Sequence, residues 1–93
     1  LEEIQLAFDR SKTGFYAIFN RAARKDSTIR AGTVVVSLTI QPNGSVSDAK
    51  IVSSSFFNPD LKEKLLQRVR MLKFEAKSVP TFTYPNYPIS YVP

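Results

Sequence analysis

Apolar side chains recur at Ile4, Phe8, Phe15, Ile18, Phe19 and Ala22, close to the 3.6-residue period that lays one stripe against a core. The spacing predicts one long helix from Leu1 to Lys25. Glu2 and Glu3 stand at its start and Arg21, Arg24 and Lys25 at its end, the charge order that complements the helix dipole. Gly14 costs about 1 kcal/mol relative to alanine inside a helix, so any kink would fall between Ser11 and Gly14. The pattern favours continuity.

From Thr33 to Ile40 the period changes to two: Val34, Val36, Leu38 and Ile40 alternate with Thr33, Val35, Ser37 and Thr39, which predicts a strand with one fully apolar face. Pro42, Asn43 and Gly44 follow. Proline presets φ at the second turn position and glycine supplies positive φ, closing a short hairpin loop. The return strand, Ser45 to Ser53, has a fault in its parity. Val46 is in phase with Asp48 and Lys50, whereas Ala49 and Ile51 have the opposite phase, so strict alternation would bury charge. A β-bulge near Ser47 and Asp48 restores Val46, Ala49 and Ile51 to the core face opposite Ile40, Leu38 and Val36.

Asn58, Pro59 and Asp60 supply a capping oxygen, a residue with no amide hydrogen to satisfy, and a first-turn acid, which together predict a helix start. Its stripe is Leu61, Leu65, Val69 and Leu72, flanked by Leu66 and Phe74, and its outer face carries Lys62, Lys64, Arg68 and Arg70. The tail from Thr81 to Pro93 holds two alternating runs, Phe82 and Tyr84, then Tyr87, Ile89 and Tyr91, separated by Pro85 and Pro88. Because proline cannot donate to a ladder, this interrupted strand is predicted at a sheet edge.

These elements give an α+β fold: a two-layer sandwich in the order α-β-β-α-β, with a three-stranded antiparallel sheet carrying two helices on one face. Residues 1–93 form a single domain, the size range in which one modest core is the ceiling. Composition narrows the chemistry. With no cysteine and no histidine, disulfides, thiolate nucleophiles, imidazole bases and most transition-metal sites are excluded, and no cofactor is expected. Asp9, Asp26, Asp48 and Asp60 fall in separate elements, without a paired acid or a glycine-rich phosphate loop, so no catalytic residues are assigned and an enzyme is not expected. The 13 Lys and Arg exceed the 8 Asp and Glu by a net charge of +5. A surplus of this size serves solubility, and it also attracts nucleic acid, anionic lipid or acidic protein surfaces. The rival class is a nucleic-acid-binding module, since basic helices and exposed aromatics on a compact α+β domain can stack bases. It ranks below the others and no nucleic-acid partner is expected, because the strands lack the Gly-Phe-rich pattern and the charge sits mainly on helices.

The segment from Thr33 through Ser54, TVVVSLTIQPNGSVSDAKIVSS, resembles the hairpin of TonB C-terminal domains, where a strand ends at a Pro-x-Gly turn and returns through a Val-rich strand closing in Ser-Ser. Asn58-Pro59-Asp60-Leu61, Phe74 and Tyr87-Pro88-Ile89 follow in the expected order. The long first helix, with Phe8-Asp9-Arg10, Tyr16, Asn20-Arg21 and Arg24-Lys25, looks more like the AgmX/PglI C-terminal branch of that superfamily.

The resemblance implies a periplasmic domain of an inner-membrane-anchored bacterial protein, a fragment of a longer chain whose upstream region engages an ExbB/ExbD-type motor. It implies capture of an outer-membrane TonB-dependent receptor, or of another envelope protein, by β-strand addition, and transmission of energy derived from the proton-motive force for transport. For AgmX-like members it implies a structural or assembly role in an envelope or motility machine. Phe82, Tyr84, Tyr87, Ile89, Ser90, Tyr91 and Val92 are the partner-binding candidates, pairing beside the prolines and not across them. Arg21, Arg24, Lys25 and Arg30 form a secondary basic patch. The open edge also leaves room for a homodimer.

Overall fold

The computed structural model describes residues 2–74 and 80–92. Leu1 and Pro93, at the outer limits of the first predicted helix and the tail, lie outside the described residues. Three helices and three strands follow in the order α1 (Glu2–Arg10), α2 (Lys12–Lys25), β1 (Gly32–Ile40), β2 (Val46–Ser54), α3 (Pro59–Arg70) and β3 (Phe82–Tyr91). The expected sandwich is present, with one correction: the first helix is two. Ser11 takes φ −96° and ψ 5°, and its N–H is shared between Ala7 O at 3.2 Å and Phe8 O at 3.1 Å. Ser11, Thr13 and Gly14 are three poor helix formers within four residues, and the helix yields there.

The sheet order is β2-β1-β3, and both pairings are antiparallel. Gly44 closes the β1–β2 hairpin at φ 89°, where Gly44 N–H donates to Gln41 O at 2.8 Å and Gln41 N–H to Ser45 O at 2.9 Å. The predicted bulge is found: Thr39 pairs with Asp48 and Ile40 with Val46, leaving Ser47 extra. Ile40, Leu38 and Val36 oppose Val46, Ala49 and Ile51 as the parity argument requires. A second irregularity, unforeseen, leaves Val52 extra between Ile51 and Ser53 and turns its side chain, half exposed, away from the core.

Val34, Val36 and Leu38 are buried on one sheet face while Thr33, Val35, Ser37 and Thr39 are half-buried on the other. The helices cover the first face. Phe8 of α1 stacks on Tyr87 and Phe19 of α2 on Tyr91, and α3 lies against β2. Asn58 caps α3 by accepting from Leu61 N–H at 3.0 Å, and Pro59 takes the first helical position. Leu61, Leu65, Val69 and Leu72 are buried as the stripe predicted, with Leu66 and Phe74 packed at their margin. Each such side chain, fully buried, stabilises the fold by about 1.5–3 kcal/mol relative to exposure.

Candidate functional site

The tail forms one continuous strand and not the interrupted one expected. Val36 pairs with Tyr87 and Leu38 with Tyr84, so Pro85 and Asn86 together oppose Ser37 and bulge outward, which lets pairing resume on both sides. β3 lies at the edge of the sheet.

Which backbone groups β3 leaves open follows from parity. Thr33 O accepts from Ser55 N–H at 3.0 Å and Thr33 N–H donates to Ser55 Oγ at 3.0 Å. At the other end Gln41 N–H donates to Ser45 O. The odd-numbered residues of β1, which carries no bulge of its own, therefore address β2, and the even-numbered ones address β3. Their partners Tyr91, Ile89, Tyr87, Tyr84 and Phe82 accordingly turn their main-chain groups inward. Thr83, the Pro85–Asn86 bulge, Pro88, Ser90 and Val92 face outward. Pro88 sits opposite Val35, where no ladder bond is required of its nitrogen.

Of these outward groups Val92 N–H already donates to Tyr16 Oη, at 3.3 Å. By this parity the main-chain groups of Thr83 and Ser90 take no part in the β1–β3 ladder. Unpaired edge groups of this kind template another strand. Their side chains point to the uncovered sheet face, with hydroxyl contacts from Thr83 to Thr39 at 2.9 Å and from Ser90 to Thr33 at 3.4 Å.

Beside this edge runs a groove of about 340 Å³ between β3 and the α1–α2 junction, walled by Phe8, Asp9, Lys12 and Tyr16 on one side and by Pro88 and Ser90 on the other. Phe8 and Tyr87 stack at 4.0 Å with an interplanar angle of 13°, and Lys12 Nζ lies 5.6 Å from the Tyr16 ring centroid. Burial pushes the Tyr87 hydroxyl above its ordinary pKa, and the carboxylate of Asp9 and then Tyr84 add to the shift.

The structure thus gathers all seven partner-binding candidates on β3 and its end, but in different roles. Ile89 and Tyr91 are buried and belong to the core. Tyr84 and Tyr87 are half-buried, while Phe82 is exposed. Ser90 and Val92 lie on the outward side. The basic candidates Arg21, Arg24, Lys25 and Arg30 are exposed and lie apart from this edge, and Arg21 and Lys25 flank a shallow groove against Asp60 and Lys64 of α3. Sequence reasoning did not single out Asp9, Lys12 or Tyr16 as walls of the edge groove. The signal available was their place on the polar flanks of the Phe8 and Phe15 stripe.

A model of the C-terminal domain of the Gram-negative bacterial TonB protein matches residues 18–93. The chain belongs to the TonB C-terminal family. No curated protein and no solved structure matches it. TonB C-terminal domains are non-catalytic interaction domains of energy transducers, periplasmic in their family context, and they contact outer-membrane receptors. No helix among the described residues is long and apolar enough to cross a membrane. The TonB match opens inside α2, so α1 and the groove walls Phe8, Asp9, Lys12 and Tyr16 precede it.

Proposed function

We propose that this domain grips an extended segment of an outer-membrane receptor, or of another envelope protein, by adding it as a strand to the outer edge of β3. It acts as the terminal domain of an inner-membrane-anchored transducer whose ExbB/ExbD-type motor supplies force from the proton gradient. The observation that supports this reading is the outward-facing backbone of Thr83 and Ser90 on an edge strand paired with β1 on both sides of its bulge. Backbone bonds supply affinity in such an arrangement and adjacent side chains choose the sequence. A ladder also suits traction, because the load is spread over several bonds and not borne by one contact.

Blocking the outer edge alone tests it. Ser90→Pro removes an outward N–H without touching the β1–β3 ladder, whereas proline at Ile89 or Tyr91 would break that ladder. An immobilised domain is expected to retain outer-membrane proteins as wild type and as Ser90→Ala, and to lose them as Ser90→Pro, with circular dichroism unchanged throughout. Equal capture by Ser90→Pro sinks the proposal. A second copy of the chain competes for the same edge, and analytical ultracentrifugation of the two variants separates that occupant from a receptor.

A further inference from the structure

A different surface lies where α2 ends and α3 begins, and strand addition makes no use of it. Phe57, in the loop before α3, is 95% exposed. The loop that carries it is fixed. Phe56 is buried, its N–H donates to Ser54 Oγ at 3.0 Å, and Ser54 Oγ donates to Phe56 O at 2.9 Å. On the other side Asn58 caps α3, and its Nδ2 donates to Asp26 Oδ2 at 3.1 Å. Phe57 is therefore a knob held out by ordered neighbours.

The same contacts bring cations to it. The Asn58–Asp26 bond joins the loop to the end of α2, which carries Arg21, Arg24 and Lys25. Gly32, two residues after Arg30, packs on Ser55 and Phe56. None of Arg21, Arg24, Lys25 and Arg30 forms an ion pair among the described residues. The nearby carboxylates are already engaged: Asp26 accepts from Thr28 and Asn58, and Asp60 pairs with Lys64 at 3.2 Å. The groove between Arg21, Lys25 and Lys64 holds only about 20 Å³, too little to seat a peptide side chain, and Arg21 and Lys25 are exposed at its rim.

An exposed ring on a loop bonded to the end of a helix that carries unpaired cations suits a charged plane with an apolar interior. The ring enters the headgroup–acyl boundary, the long basic side chains reach the headgroups, and the attraction is confined to roughly a Debye length. We infer that this face is a peripheral contact for an anionic lipid bilayer, with Phe57 as the inserted anchor and Arg21, Arg24, Lys25 and Arg30 as headgroup contacts.

The chain has no tryptophan, so Phe57→Trp places a single reporter in the loop. Its emission is expected to shift to the blue with vesicles of phosphatidylglycerol and phosphatidylethanolamine, and to stay put with phosphatidylcholine vesicles. In co-sedimentation, Phe57→Ser is expected to lower partitioning roughly tenfold. Each neutralisation to glutamine among Arg24, Lys25 and Arg30 is expected to lower it roughly fivefold, and added salt to weaken it further. Ser90→Pro is expected to leave vesicle binding intact, which keeps this result separate from that of the strand edge. An unshifted Phe57→Trp spectrum with anionic vesicles, or a Phe57→Ser variant that sediments like wild type, overturns the inference. Capture by a polyglutamate peptide without vesicle binding also overturns it, in favour of an acidic polypeptide.

Discussion

The Tyr91 hydroxyl donates to Asn20 Oδ1 at 2.6 Å, a bond between the last residue of the edge strand and the middle of α2. The Tyr91 ring also stacks on Phe19, with centroids 4.7 Å apart and planes 7° apart, and meets the Tyr16 edge at 5.5 Å. The end of β3 is thereby fixed to the helical layer, and Ser90 presents its outward backbone from a stiff support. Tyr91→Phe is expected to cost about 1 kcal/mol in urea unfolding, and Tyr91→Ala about 3–5 kcal/mol. Asn20→Ala is expected to match Tyr91→Phe, and the double variant to cost little more than either alone.

Tyr87 links stability to alkaline pH. Its folded pKa is raised above the ordinary 10.0, first by burial, then by Asp9 and Tyr84. A raised folded value favours the protonated form, so this contribution is complete below about pH 10 and is lost as pH rises through the higher folded value. Tyr87→Phe keeps the Phe8 stack and is expected to flatten the fall in thermal midpoint above pH 10. An unchanged slope would contradict the assignment.

Asp26 acts at the acid end. Its carboxylate accepts from the Thr28 hydroxyl at 2.6 Å and the Thr28 N–H at 3.0 Å, and also from Asn58. These bonds, Thr28's first, hold its pKa below the ordinary 3.8. A depressed folded value gives stability that is present above the unfolded pKa and lost as pH falls through the folded one. Asp26→Asn is expected to weaken the acid dependence below about pH 4, followed by thermal melting across that range.

Two glycines are expected to respond in opposite directions to alanine. A Cβ on Gly14 would meet the guanidinium end of Arg68 at 2.7 Å, and that flexible tip can swing into water. Gly14→Ala is expected to stabilise by up to about 1 kcal/mol through helix propensity. A Cβ on Gly32 would lie 2.8 Å from the Phe56 ring and from Ser55 Cβ, both set in an ordered loop. Gly32→Ala is expected to destabilise by about 1–3 kcal/mol. Urea midpoints of the two variants on opposite sides of wild type would bear this out.

Much of the fold was legible because burial constrains phase. Strict alternation would put Val46 on the face of Asp48 and Lys50, opposite that of Ala49 and Ile51, so the bulge at Ser47 could be deduced. The second bulge, at Val52, was not, because Ser53 and Ser54 beyond it suit either face equally and carry no phase signal. The sequence located where the first helix would break, at Ser11 to Gly14, but not that it does break: Phe8 and Phe15 are one heptad apart and stay in phase across it, still stacked at 5.5 Å. At the edge, alternation identified the strand, but not which of its residues turn their backbone outward. That depends on which side of β1 the strand joins, a choice made in tertiary structure. For the same reason Asp9, Lys12 and Tyr16, distant in sequence from Ser90, could not be read as walls of its groove.

The outward placement of Pro85 and Pro88 also limits how far association can run. A flat, fully donating edge invites copy after copy to stack into a fibril. Here the row of donors is broken at two prolines and bent at the Pro85–Asn86 bulge. A short guest strand finds enough backbone to hold, while an endless array of identical sheets meets a gap and a bend at every layer.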